Sequence, residues 1–272
     1  MDASAHRVTL DRGEVSLSCL VAGAGGGRVV LLHGLAGDAG ELHPTAEALA
    51  RGHRVAVPDQ RGHGRSTRRP ADVSRRAYAA DAAAVIERLC DGRPAVLVGQ
   101  SMGGHTAMLT AAWYPHLVRG LVMLEAGVGG TAPGDEDYPA RLGAWFAGWP
   151  VPFADRAAAV RYLGANPLAE AWADAMEAGE DGLRPRFDAD VMRAAIEPVA
   201  ARARWEEWAC VTAPTLLVRG EHGKIPAAED ERMRAERPDA GYAVIPGAGH
   251  DAHLDAPQAW LAVLRDFLDS ID

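Results

Sequence analysis

Residues 94–113 read PAVLVGQSMGGHTAMLTAAW. PAVLVG at 94–99 is an unbroken apolar run, the pattern of a strand covered on both faces. Residues 103–114 follow with a helical pattern. Between them lies Gly99-Gln100-Ser101-Met102-Gly103, a G-x-S-x-G sequence at a strand-to-helix turn. In that setting it is a nucleophile elbow, a strained turn that lifts the serine hydroxyl above the sheet. Glycines two residues before and after the serine remove side chains that would collide as the chain doubles back. The helix N-terminus adds unpaired N–H groups and a positive dipole end where an oxyanion would form.

Outward from this turn, strand-like and helix-like segments alternate. Strand patterns lie at 7–10, 15–21, 28–33, 54–59 and 118–125, with helical patterns near 40–51 and at 74–90. Ser74 is the expected N-cap of the second of these helices. After residue 205 the rhythm resumes, with strands at 214–219 and 241–245 and helices at 227–237 and 256–270. Such alternation implies a mostly parallel sheet with helices on both faces. The segment 128–205 breaks it. That segment has no clear buried strand, several short helical pieces and prolines from Pro133 to Pro198, and it holds four of the seven tryptophans and three of the four phenylalanines. These features predict a helical insertion over the carboxyl edge of the sheet, leaving 1–127 and 206–272 as the core. Its aromatic side chains either pack it against the core, line a pocket, or do both.

The 272 residues carry a net charge of −9, with 48% hydrophobic and 24% charged residues. That composition fits a globular chain and excludes a disordered or collagen-like one. The acidic balance argues against nucleic acid as a partner. Lys224 is the only lysine, which codon bias explains most simply. With no run of about eighteen apolar residues, no transmembrane helix is predicted. The N-terminal MDASAHRVTLDRGE lacks the basic and apolar stretches of a secretory signal. Three scattered cysteines, Cys19, Cys90 and Cys210, predict free buried thiols in a reducing compartment, and the expected location is the cytoplasm. GAGGG at 23–27 lacks the dinucleotide spacing and is expected to be a flexible turn. No Walker, HExxH or paired CxxC pattern occurs, so neither a metal nor another cofactor is implied.

Two further motifs bear on chemistry. His33-Gly34-Leu35 ends the strand at 28–33, where a loop can supply a second oxyanion N–H from Leu35 beside that of Met102. His33 itself is expected to hold the loop in shape. Gly247-Ala248-Gly249-His250 follows the last strand. A serine hydroxyl is a poor nucleophile until a base takes its proton, and an imidazole on a glycine-rich loop suits that work. His253 is a near competitor, but a surface loop role is expected for it. His105, one helical turn beyond Ser101, is expected to line or support a pocket.

LHG at 32–34, PDQRGHGRS at 58–66, GQSMGG at 99–104, PTLLVRGEH at 214–222 and GAGH at 247–250 together resemble the α/β-hydrolase fold, in order and spacing and over essentially the whole chain. The resemblance implies an eight-stranded, mostly parallel sheet, a Ser–acid–His order along the chain, and a helical cap where the insertion lies. One departure stands out. The family usually places its acid just after the seventh strand, in a G-x-x-D pattern, whereas this chain has Gly220-Glu221-His222-Gly223. Some members carry the acid at the end of the sixth strand, which here is Glu125. The resemblance therefore points to Glu125 as the group that holds the imidazole of His250 and offsets its developing charge, with Glu221 as the alternative. Asp251 adjoins the histidine, but adjacent side chains usually diverge.

These residues predict a cofactor-independent serine hydrolase for a small to medium, largely uncharged ester, thioester or lactone, with a small-molecule partner bearing an apolar moiety. Trp145, Phe146, Trp149 and Phe153 are the candidate substrate contacts. C–C bond hydrolysis, perhydrolysis and a slow-turnover ligand receptor remain open on the same residues, and the scaffold alone does not choose between them. Oligomeric state stays open.

Overall fold

In a computed structural model, residues 5–132 and 134–271 are described. Residues 1–4 of the N-terminal stretch and Pro133 in the insertion lie outside the described residues. The strands are β1 (His6–Asp11), β2 (Ser16–Ala22), β3 (Gly27–Leu32), β4 (His53–Pro58), β5 (Ala95–Gln100), β6 (Val118–Leu124), β7 (Glu177–Gly179), β8 (Gly182–Arg184), β9 (Thr215–Gly220) and β10 (Gly241–Ile245). The helices are α1 (His43–Leu49), α2 (Arg75–Leu89), α3 (Met102–Trp113), α4 (Tyr138–Ala147), α5 (Arg156–Leu163), α6 (Pro167–Ala175), α7 (Ala189–Ala200), α8 (Trp205–Ala209), α9 (Ala227–Glu236), α10 (Ala252–Asp255) and α11 (Pro257–Ile271).

Eight strands form one sheet in the order β1-β2-β4-β3-β5-β6-β9-β10. The β1–β2 and β2–β4 pairs are antiparallel and the rest are parallel. This is the α/β-hydrolase fold. The apolar runs of β3, β5 and β6 bury side chains on both faces. Val30, Leu32, Leu97, Leu121 and Met123 join a core cluster with α2 and α3, while Val29, Leu31, Val96, Val98 and Val122 join the opposite cluster with α1 and α11. Alanines 79, 82, 83 and 84 let α2 lie close to the sheet, and Ser74 caps it by accepting the Ala77 N–H. On α11, Trp260, Leu264 and Leu268 form the buried stripe, spaced as an amphipathic helix requires.

Chain direction reverses between β3 and β5. From β3 the chain crosses to β4 on one side, and from β5 to β6 on the other. The loops leaving these two neighbours diverge, and a crevice opens at their carboxyl ends, where ligands bind in open α/β sheets.

Between β6 and β9 the insertion builds its own apolar cluster from Phe146, Trp149, Phe153, Val160, Phe187 and Met192. Leu35 and Ala36, just after β3, pack into it, so it lies against the carboxyl end of the sheet. Arg68 and Arg69 pair with Glu177, Asp188 and Asp190 at its edge.

Several elements differ from the sequence expectation. The insertion contains a short hairpin, β7–β8, half-exposed and with no apolar run to announce it. Cys19 and Cys90 are buried, but Cys210 is exposed at the end of α8. The glycine cluster at 23–27 is a packed turn rather than a flexible one, because Gly23 and Gly25 press against the backbone of residues 50–53.

Candidate active site

Ser101 stands between β5 and α3 with φ 51° and ψ −120°, a left-handed conformation that a non-glycine residue holds only when its surroundings enforce it. Its N–H donates to the Leu124 carbonyl at 3.0 Å, and its own carbonyl accepts the His105 N–H at 3.1 Å. The turn closes tightly. A Cβ on Gly103 would overlap the Leu32 carbonyl, and one on Gly99 would overlap Gly103. Met102 opens α3, so its N–H is one of the first-turn donors without a partner inside the helix. Ser101 lines two adjoining cavities of about 580 and 360 Å³. Gly34 and Leu35 line the smaller one.

The loop carrying Leu35 is held from below. His33 is fully buried; its Nδ1 lies 2.7 Å from the Gly34 carbonyl, and its Nε2 accepts the Gln60 N–H at 3.0 Å. Those partners assign the proton to Nδ1. Gln60 Nε2 in turn donates to the His33 carbonyl at 2.7 Å.

His250 follows β10 and lines both cavities. Gln100 Nε2, next to Ser101, donates to the His250 carbonyl and to Asp251 Oδ1, both at 3.1 Å, and so ties the histidine loop to the elbow. His250 Nδ1 faces Glu125 Oε2 at 3.3 Å. The Glu125 side chain is wholly enclosed. Its Oε1 accepts the Gly220 N–H at 2.9 Å and its Oε2 the Lys224 N–H at 2.8 Å. Burial pushes this carboxyl up, but the bonds from His250, Lys224 and Gly220 outweigh it and hold the group below its ordinary value. It stays ionised at neutral pH. Glu125 also has a positive φ, 47°, which turns the side chain from the end of β6 toward β9.

The other carboxylates are occupied elsewhere. Glu221 is exposed and accepts the Gly247 N–H at 2.7 Å. Asp251 Oδ1 accepts from Gln100 Nε2 at 3.1 Å, and burial raises its carboxyl above the ordinary pKa, partly offset by His250.

Trp145 and Phe146 line the smaller cavity with Ser101. Trp149 and Phe153 are only 4% and 3% exposed and pack in the insertion's core; they are not among the residues lining the two cavities. Lys224, Tyr138 and Ile196 line both cavities and were not singled out from sequence. The solitary status of Lys224 was the one available signal. His105 borders the larger cavity. Burial first, then Arg75 and Arg204, hold its pKa well below the ordinary value, so its imidazole is neutral. His253 corrects the surface assignment: it is buried, with Nε2 2.9 Å from Glu41 Oε1. Short α10 turns it inward, a detail no local pattern announces.

The turn carrying Ser101, the segment of Gly34 and Leu35, and His250 facing the ionised Glu125 thus meet at one crevice. Residues 29–263 match the profile of the alpha/beta hydrolase family. The chain belongs to that family. Within it, the chain is 30% identical to a 2-(acetamidomethylene)succinate hydrolase of Mesorhizobium japonicum, over 98% of both chains. A crystal structure of E-2-(acetamidomethylene)succinate hydrolase superposes with a TM-score of 0.87 at 28% identity, covering 98% of this chain and 100% of that one. An sn-1-specific diacylglycerol lipase of Mus musculus is 29% identical, over 88% of this chain and 80% of its own. These relatives of the alpha/beta hydrolase family are hydrolases, and the chain is a hydrolase on that ground. Among its described residues, no helix is long and apolar enough to cross a membrane.

Proposed function

We propose that the protein is a serine hydrolase that cleaves a small to medium carboxylic ester, thioester or lactone through an acyl-enzyme. Ser101 Oγ attacks the acyl carbonyl and passes its proton to His250. The N–H groups of Leu35 and Met102 receive the charge that develops on the carbonyl oxygen. His250 then protonates the leaving group, and water activated by the same imidazole releases the acid. Glu125 keeps the imidazole in the Nδ1–H tautomer and stabilises the imidazolium. Residues 128–205 act as a cap, whose Trp145 and Phe146 accept an apolar substrate portion.

The observation that carries this reading is the enclosed Glu125 carboxylate, held by two backbone N–H groups and facing His250 Nδ1, beside the cavities that Ser101 lines. A carboxylate in an apolar sheet end needs such partners to remain charged, and that charge is what an imidazole base uses. The test is labelling with a fluorophosphonate probe together with turnover of p-nitrophenyl esters of increasing acyl length. Wild type should label and turn over, and Ser101→Ala should do neither. Tight ligand retention with negligible turnover in the wild type would replace the enzyme with a receptor.

A further inference from the structure

Arg75 is the first residue of α2 and is only 2% exposed. Its Nη2 donates to Thr106 Oγ1 and lies 3.4 Å from the Met102 carbonyl. Its guanidinium carbon sits 4.4 Å from the centre of the Tyr78 ring. Nε and Nη1 are buried with no hydrogen-bond partner in the protein, and no carboxylate within 4.0 Å is paired with the guanidinium among the described residues. Asp81, farther along α2, pairs with Arg61 and Arg12.

This placement is unfavourable in three respects. The cation is desolvated, it lacks a counter-charge, and it stands at the positive end of a helix dipole. Burial lowers its pKa to about 10, with Tyr78 opposing and Arg204 adding to the effect, so it stays charged at neutral pH. What it lies against is the first turn of α3. The N-terminus of α3 and this guanidinium both bring positive potential to Met102. The contact also extends to the second oxyanion loop: Thr106 Oγ1 is 3.2 Å from Gln60 Oε1, and Gln60 holds the His33 carbonyl.

We infer that Arg75 is a positioning residue for the oxyanion site: a fixed, unpaired cation that polarises the start of α3 and, through Thr106 and Gln60, holds the Met102 and Leu35 segments in register for the negative charge of the transition state. The inference rests on the serine-hydrolase reading. A structure that keeps an uncompensated buried charge violates local rules that otherwise govern packing, and such violations concentrate at functional sites.

Arg75→Met, Arg75→Lys and Arg75→Gln separate the possibilities. In Arg75→Met, kcat should fall about tenfold, less than the roughly hundredfold or greater loss that follows removal of a direct oxyanion donor. KM should stay within about twofold, because the ground-state carbonyl carries little charge. Affinity for an alkylboronic acid, which adds to Ser101 as a tetrahedral anion, should fall in parallel, while that for a neutral ether analogue holds. Thermal stability should be unchanged or higher, since an apolar side chain of similar volume removes a buried unpaired charge. Arg75→Lys should retain most of kcat, and Arg75→Gln should repeat the Arg75→Met result if the latter does not fold. Unchanged kcat in the neutral variants overturns the proposal. So does equal loss in Arg75→Lys and Arg75→Met accompanied by lowered stability, which marks a packing role. A wild type that neither labels nor turns over removes the serine-hydrolase reading itself, and Arg75 with it.

Discussion

The carboxylate of Glu125 fills the space that a side chain on Gly223 would occupy. A Cβ built at 223 overlaps Oε1, Cδ and Oε2 of Glu125. The glycine that breaks the G-x-x-D pattern after β9 is therefore the same feature that admits an acid from the end of β6. The two positions exclude each other sterically, and a side chain can project from only one of them.

Gly223→Ala should displace the Glu125 carboxylate and lower kcat by about 100-fold, the scale expected when a catalytic group is misplaced by about 1 Å. The double variant Glu125→Gly with Gly223→Asp moves the acid to the other strand end, and its kcat should exceed that of Gly223→Ala. Steady-state ester hydrolysis measures both. A fully active Gly223→Ala would show that the carboxylate has no fixed place.

Glu125→Gln should lower kcat about 1,000-fold to 10,000-fold, the effect of offering an imidazole the wrong hydrogen-bond partner. Fluorophosphonate labelling should slow accordingly. Equal labelling rates would transfer the role to Glu221.

The depressed pKa of Glu125 also has a consequence for stability. A carboxyl whose folded pKa lies below its unfolded value binds fewer protons when folded, so it stabilises the fold above the unfolded pKa, and this contribution is lost as pH falls through the folded value. The ordinary value is 4.5. Wild type should therefore lose stability relative to Glu125→Gln as pH drops below about 4.5, and denaturant titrations at pH 7 and at successively lower pH measure the difference.

Trp145 is 45% exposed yet lines the smaller cavity. Trp145→Ala should lower kcat/KM for long acyl esters about tenfold and leave short ones nearly unchanged, since an apolar wall favours only those chains long enough to reach it. An unaltered chain-length profile would remove the apolar subsite from this wall.

His253 and Glu41 form an enclosed pair 2.9 Å apart. His253→Ala leaves a buried carboxyl without that partner and should destabilise the fold by about 2 to 4 kcal/mol, read by chemical denaturation.

Much of the architecture was legible in local pattern. Continuous apolar runs such as RVVLL and PAVLV identify strands buried on both faces, and the glycines around Ser101 identify the turn, because close approach of backbone to backbone leaves residue type little freedom. The hairpin at 177–184 and the inward turn of His253 were not legible, since neither rests on a run of apolar residues. Trp149 and Trp145 show the limit most clearly. They stand four residues apart and share a residue type, yet one packs in the insertion's core and the other borders the cavity.

From sequence alone came the sheet, the elbow with Ser101, the loops bearing Leu35 and His250, and a choice between Glu125 and Glu221. Tertiary structure decided which carboxylate meets the imidazole, which aromatic side chains face the crevice, and that Arg75 is buried without a counter-ion. Local pattern records the covalent and steric demands of neighbouring residues. Contacts such as Glu125 with Gly223, or Arg75 with Met102, join segments distant along the chain, and only their packing brings them within reach.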